Sequence, residues 1–200
     1  MFWCCEPMTL HFAYGSNMSC RLMRMRCPEA RAIGTASLRD WRFIISPDGY
    51  ASLERQTGAR VHGVLWRLSA RDVAAINAYE NVQSGLYVRR TLPVRFERSA
   101  PALEHDPEKW IPLFGKRSSF DKGVERDDDS MKHQPALVYI ARSKGSARSK
   151  GFVRPRPGYL AQVVEAARYW RFPQRYICSL ARWAPSGWGG ARATEVGEVA

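Results

Sequence analysis

The sequence predicts an α+β fold, one that a small barrel flanked by helices would satisfy. Two observations carry this. Five stretches read as strands from their alternation and their β-branched or aromatic content, and the helical stretches among and after them follow no regular β-α-β rhythm. No internal repeat is present, so one domain with tails is expected rather than an array.

Residues 9–13 (Thr-Leu-His-Phe-Ala) read as a short buried strand that breaks at Tyr14-Gly15-Ser16-Asn17. A helix follows, for which Asn17 and Ser19 are both good N-caps, with Leu22, Met25 and Arg26 at helical spacing. Residues 37–46 form a second strand, closed by Pro47-Asp48-Gly49, and residues 61–68 a third. Ser69-Ala70-Arg71-Asp72 has the S-x-x-D form that opens a helix, continued by Val73, Ile76 and Tyr79. Residues 87–96 and 136–141 are the remaining strands. Two helices close the pattern, over residues 159–171 and from Pro173 to about Trp183.

Residues 99–134 are rich in charge, proline and serine, and residues 145–150 form a Ser/Lys/Arg/Gly run. Ordering such segments costs more than their few apolar groups return, so both read as insertions in a single domain of residues 8–184. Residues 1–7 and 185–200 read as flexible tails, and Met8 could serve as a start. Hydrophobic residues at 45% and charged residues at 25% describe an ordinary globular protein. No run of eighteen apolar residues is present and the first residues lack the form of a secretory signal, so no membrane is expected and the cytoplasm is the default location.

The five cysteines form no C-x-x-C pair and the four histidines do not cluster with them, which excludes a matched zinc set; no metal is expected. The net charge of +12 is scattered along the chain without interleaved aromatics that stack bases, so no nucleic acid is expected as partner. Walker and dinucleotide loops are absent, as is any G-x-S-x-G context around Ser16.

Two features could carry chemistry. The turn Tyr14-Gly15-Ser16-Asn17 leaves a strand and enters a helix, so its glycine permits close backbone approach and the helix start suits an anion. On these four residues alone a plain strand-to-helix turn capped by Asn17 is the simpler reading. Val73, Ile76 and Glu80 stand at i, i+3 and i+7, which sets a carboxylate on an apolar stripe beside Tyr79 and Tyr87. Burial there would raise it toward neutrality, as an acid–base group working near pH 7 requires; at a fraying helix end it would instead be exposed and inert.

Phe12-Ala13-Tyr14-Gly15-Ser16-Asn17 resembles the F-A-Y-G-S-N opening of the γ-glutamylcyclotransferases, the AIG2-like family. Gly63-Val64-Leu65-Trp66 is similar to that family's G-V-x-W strand, and the segment from Glu80 to Tyr87 to its E-x-V-x-S-G-x-Y. Pro157-Gly158-Tyr159 resembles a P-x-Y element, and Pro173-x-x-Tyr176-x-x-x-Leu180 the last helix. These blocks occur in family order.

The resemblance implies a small β-barrel with peripheral helices and conversion of a γ-glutamyl compound to 5-oxoproline plus a free amine or amino acid. It implies Glu80 as proton acceptor and His11, Phe12, Ala13, Tyr14, Gly15 and Ser16 as substrate-binding, with Asn17 completing the motif and Tyr159 contacting substrate. No cofactor is implied; the partner is a small γ-glutamyl molecule, bound by a monomer or homodimer. Residues 99–134 stand where the animal enzymes have a shorter connection, and Asn17 departs from the Y-G-S-L of a glutathione-specific branch, so the donor's identity stays open. The alternatives are a diverged member acting on or binding another γ-glutamyl metabolite, and a basic nucleic-acid-binding protein.

Overall fold

The computed structural model describes residues 8–99, 133–142 and 154–184. Five strands close into a barrel: β1 (Thr9–Ala13), β2 (Arg31–Ile45), β3 (Ala51–Leu68), β4 (Tyr87–Ser99) and β5 (His133–Ala141), in the order β1-β3-β2-β4-β5. Among the described residues four helices flank it: α1 (Cys20–Arg26), α2 (Ala70–Tyr79), α3 (Tyr159–Tyr169) and α4 (Gln174–Ala181). All neighbouring strands are antiparallel except β1 and β5, which meet in parallel at the single pair His11↔Leu137. Among the described residues no helix is long and apolar enough to cross a membrane.

The predicted strands are all present, and four are longer than expected. β2 and β3 form one hairpin of 15- and 18-residue arms, adding residues 31–36 and 51–60 to the predicted segments. A register shift between Arg39 and Trp41 bends it, with Asp40 in the left-handed region at φ 62° and its carboxylate accepting from the Gly58 N–H at 2.9 Å. β4 and β5 extend to Ser99 and back to His133, so Ser99, His133 and Gln134 are strand residues rather than insertion. Residues 100–132 of the expected insertion, the 145–150 run, and the 1–7 and 185–200 tails lie outside the described residues.

Local chemistry explains how the helices start. Ser69 Oγ accepts from the Asp72 N–H while the Asp72 carboxylate accepts from the Ser69 N–H, each at 3.2 Å, which closes the capping box that opens α2. For α1 the cap is Ser19, whose hydroxyl accepts from the Leu22 N–H at 3.4 Å; Asn17, the other candidate, lies one turn earlier in a 3-10 turn, Ser16–Met18. The Trp170 indole at the C-terminus of α3 donates to the Met18 carbonyl at 2.8 Å and so pins that turn from the helix side.

One buried core joins Phe12, Leu38 and Leu65 of the barrel to Val163, Trp170 and Leu180 of the helices. Each such side chain contributes about 1.5–3 kcal/mol through burial. Close approach of β1 and β3 depends on Gly63: a Cβ there would stand 2.4 Å from the Ala13 carbonyl oxygen and 2.6 Å from the Phe12 ring. The strand that ends in the Tyr14–Asn17 turn is therefore seated against bare backbone.

Candidate functional site

The end of β1, the 3-10 turn and the end of α2 meet at a cavity of about 290 Å³, the size of a small-metabolite site. His11, Phe12, Ala13, Tyr14, Gly15, Ser16, Asn17, Glu80 and Tyr159 all line it, so every site residue singled out in the sequence faces one space. The cavity is strongly aromatic: Tyr50, Tyr79, Tyr87 and Tyr139 complete its wall, together with Ala51, Asn81 and Leu86.

Glu80 caps the C-terminus of α2. Its N–H donates to the Ile76 carbonyl at 2.9 Å, and Asn81 follows in the left-handed region at φ 48°. The helix thus stops at the cavity instead of fraying into solvent. Asn17 Nδ2 donates to Glu80 Oε1 at 2.9 Å. Burial pushes the carboxyl up to about 7, against the opposing pull of the Asn17 hydrogen bond and the Arg26 charge. A glutamate with its midpoint near neutrality can both take and return a proton at pH 7.

Asn17 is held from its other side. Arg26 Nη1 donates to Asn17 Oδ1 and, at 3.2 Å, to Ser16 Oγ, while its guanidinium carbon stands 3.8 Å from the centre of the Tyr79 ring. Sequence reasoning missed Arg26, which locally is an ordinary basic residue in a last helical turn.

Four of the six tyrosine hydroxyls divide into two kinds. Those of Tyr14, Tyr87 and Tyr139 donate within the protein, to the Tyr139 carbonyl, the Ala51 carbonyl (3.0 Å) and Asn77 Oδ1 (2.8 Å). Tyr159 instead accepts, from the Ala51 N–H at 3.2 Å, which leaves its own proton to be donated elsewhere. Burial raises it to about 12, so it remains a neutral donor. Gly15 is required beside it: a Cβ there would come within 2.8 Å of the Tyr159 hydroxyl and 3.2 Å of Ala51 Cβ. Its φ of −111° is ordinary, and the space beside Tyr159 is what a side chain would lack.

His11 sits where the barrel closes. Its Nδ1–H donates to the Leu137 carbonyl at 3.0 Å, its ring lies edge-on to Tyr139, and burial lowers it to about 4. It is neutral at pH 7, with a buried Nε2 that has no partner among the described residues. Tyr50 and Tyr139 were also missed, since each is locally a plain aromatic residue of a turn or a strand.

A family model described as Gamma-glutamyl cyclotransferase, AIG2-like matches residues 11–150, more than half of the chain. Gamma-glutamylcyclotransferase of Mus musculus is 30% identical over 89 residues, covering 40% of this chain and 47% of that protein. The Homo sapiens protein of the same name is 29% identical over 93 residues, covering 42% and 50%. The chain thus spans about half the length of the curated relatives it matches. A solved structure of a protein named Gamma-glutamyl cyclotransferase superposes with a TM-score of 0.66 at 20% identity, covering 94% of this chain and 95% of that one. YkqA from Bacillus subtilis gives 0.59 at 18% identity, covering 88% and 54%. At such identities the two structures speak for the fold.

Proposed function

Because this chain belongs to the Gamma-glutamyl cyclotransferase, AIG2-like family, we propose that it cyclises a γ-glutamyl group, releasing 5-oxoproline and a free amine or amino acid. The observation that carries this reading is the hydrogen bond from Asn17 to Glu80, which joins the Tyr14–Asn17 turn to a carboxyl with its midpoint near 7.

The nucleophile is the substrate's own α-amine. An α-amino group has a reference value of about 7.7–8.0, close enough to Glu80 for proton transfer to be nearly level. Glu80 takes the ammonium proton, the freed nitrogen lone pair attacks the γ-carbonyl carbon, and a tetrahedral oxyanion forms. Glu80 then returns the proton to the departing nitrogen as its bond to carbon breaks, and the carboxylate so regenerated takes the second proton from the positively charged ring nitrogen and passes it to the released amine. The five-membered lactam and an ammonium leave, and Glu80 is ionised again, with atoms and charge balanced. No protein nucleophile is consumed, because the attacking group is already tethered. Folding the donor so that its amine faces its own amide supplies much of the acceleration, as well-oriented intramolecular reactions reach effective molarities of about 10⁵–10⁸ M.

The other wall groups hold the donor in that shape. Tyr159 offers a hydroxyl proton, and the N–H groups opening the 3-10 turn are donors suited to the substrate carboxylate or the developing oxyanion. The buried Nε2 of His11 is an acceptor suited to a substrate N–H.

The test is mass-spectrometric detection of 5-oxoproline after incubating the protein with γ-glutamyl dipeptides and γ-glutamyl amines. N-acetyl-γ-glutamyl compounds should not be turned over, since acetylation converts the nucleophile into an unreactive amide. Free glutamate as first product, or steady turnover of the acetylated donor, would make the reaction a hydrolysis by water and overturn the reading.

A further inference from the structure

Asn17 presents its amide to Glu80, and an amide has two unlike ends. Its NH₂ end stabilises an ionised carboxylate; its oxygen end repels one and accepts from a protonated carboxyl. Nothing in Asn17 itself decides which end faces the cavity. The decision comes from behind, where Arg26 Nη1 contacts the other end of the amide. A guanidinium carries donors and no acceptor, so only the oxygen can lie against it. The NH₂ is then the end left for Glu80, and it meets Oε1 at 2.9 Å.

We propose that Arg26 is a positioning residue for the acid–base group: acting through Asn17, it fixes the amide with its NH₂ toward Glu80 and so holds that carboxylate ready to accept a proton. This rests on the reading of Glu80 given above.

The geometry around Arg26 fits that task better than a packing role. It closes the far end of α1, a seven-residue helix that begins just after the 3-10 turn, and folds back to touch two residues of that turn, Ser16 and Asn17. Its guanidinium lies on the Tyr79 ring, which belongs to the residue before Glu80. Both partners of the Asn17–Glu80 bond are thereby referenced to one planar cation. Both bonds come from Nη1; what a lysine ammonium, a point charge on a flexible stem, could not do besides making them is lie flat on the ring.

The charges facing Glu80 from the elements around it point the same way. Tyr14 at the end of β1, Tyr87 on β4, Tyr139 on β5 and Tyr159 on α3 all sense Glu80, and burial drives each of them further toward its neutral form. Arg26 is the cation acting on Glu80 among the described residues, and it opposes the effect of burial. Losing it therefore raises Glu80 twice over. The favourable charge goes, and the amide becomes free to turn its oxygen toward a protonated carboxyl.

The experiment is a ¹³C NMR titration of glutamate side-chain carboxyls in the full-length protein, with the Glu80 signal identified by its absence in Glu80→Gln. In Arg26→Met the Glu80 midpoint should rise by about one pH unit or more. The acid limb of kcat/KM for a γ-glutamyl dipeptide should move up with it. An unchanged Glu80 midpoint in a folded Arg26→Met protein overturns the proposal, because a purely structural arginine would leave the titration where it was. Should that variant fail to fold, Arg26→Gln is read in the same way: it is neutral but retains a polar head, an upward shift is expected, and an unshifted midpoint overturns the proposal. If the wild-type protein forms no 5-oxoproline, the cyclotransferase reading fails, while the titration still decides what Arg26 does to Glu80.

Discussion

Two glutamates of this barrel are drawn partly out of water, and they end on opposite sides of the ordinary glutamate value. Glu80 stands at the end of α2 against an amide and a wall of tyrosines, and burial carries it up to about 7. Glu97 stands on β4, where burial also pushes it up; there the hydrogen bond and charge of neighbours led by His62 outweigh that push and hold it below its usual range. His62 Nδ1 lies 3.2 Å from Glu97 Oε2, and the His62 ring packs on Phe172 and Tyr176 beside α4. Burial is common to both sites, so burial alone does not make a proton acceptor for pH 7. What separates them is the strength of the partner. A neutral amide backed by a more distant cation corrects part of the desolvation, whereas an imidazole in direct contact overcorrects it.

The largest effect should come from removing each carboxylate's charge in turn. Glu80→Gln should fold normally and lose at least about 10²–10⁴-fold in kcat, the usual worth of a general acid–base group. Glu97→Gln should stay within a few-fold of wild type, and steady-state kinetics on a γ-glutamyl dipeptide will tell them apart. Near-wild-type turnover by Glu80→Gln would reduce it to a structural residue and erase the contrast.

A smaller loss is expected from the donor beside Glu80. Tyr159→Phe keeps the ring and removes the hydroxyl, both the acceptor of the Ala51 N–H and the proton offered to the donor, the latter worth about 0.5–1.5 kcal/mol as a neutral hydrogen bond. That corresponds to a rise in KM of about 2- to 12-fold with kcat less affected, if the hydroxyl binds ground state and transition state alike. Equal losses in kcat and kcat/KM would instead assign Tyr159 to the transition state.

The remaining effects are in stability rather than turnover, and they should have opposite signs. A carboxyl raised to about 7 in the folded state binds a proton more tightly there than in the unfolded chain. Its contribution is full below about 4.5 and is lost as pH rises through 7. Glu80→Gln should therefore stay close to wild type near pH 5 and exceed it at pH 8, by about 2–3 kcal/mol. Glu97 is depressed in the folded state, so its contribution is present at neutral pH and lost on acidification. Glu97→Gln should be less stable than wild type at pH 8, by under about 1 kcal/mol because that side chain is partly solvated, with the deficit shrinking in acid. Denaturant melts at the two pH values check both, and a shared sign would show that the partner does not set the direction in which each carboxyl is driven.

Much of this was legible from local chemistry. The Ser69/Asp72 box, the turn at Tyr14–Asn17 and the strand cores could be read because their signals lie within a few residues. The rest was not local. Residues 51–55 and Arg60 are strand because β2 lies alongside to pair with them, whereas exposed Gln56, Thr57 and Gly58 fall where the pairing steps from Arg60 to Arg55 across Asp40. Asn17 read as an N-cap because asparagine usually is one there; its actual partners, Arg26 and Glu80, stand 9 and 63 residues away. Tyr139 lines the cavity through a strand 125 residues beyond Tyr14, the residue its carbonyl binds, and no spacing rule connects the two.

That distance has a consequence for the order of assembly. The barrel is sealed by one parallel residue pair, His11 with Leu137, reinforced by a side-chain bond across the same 126-residue separation. A contact that joins such distant parts of the chain carries a large loop-closure cost and is expected late, after the β2–β3 hairpin has formed. The cavity wall is built on both sides of that seam. Folding intermediates that lack the seam then lack the cavity as well, so a chain would gain its reactive pocket all at once, in its last step.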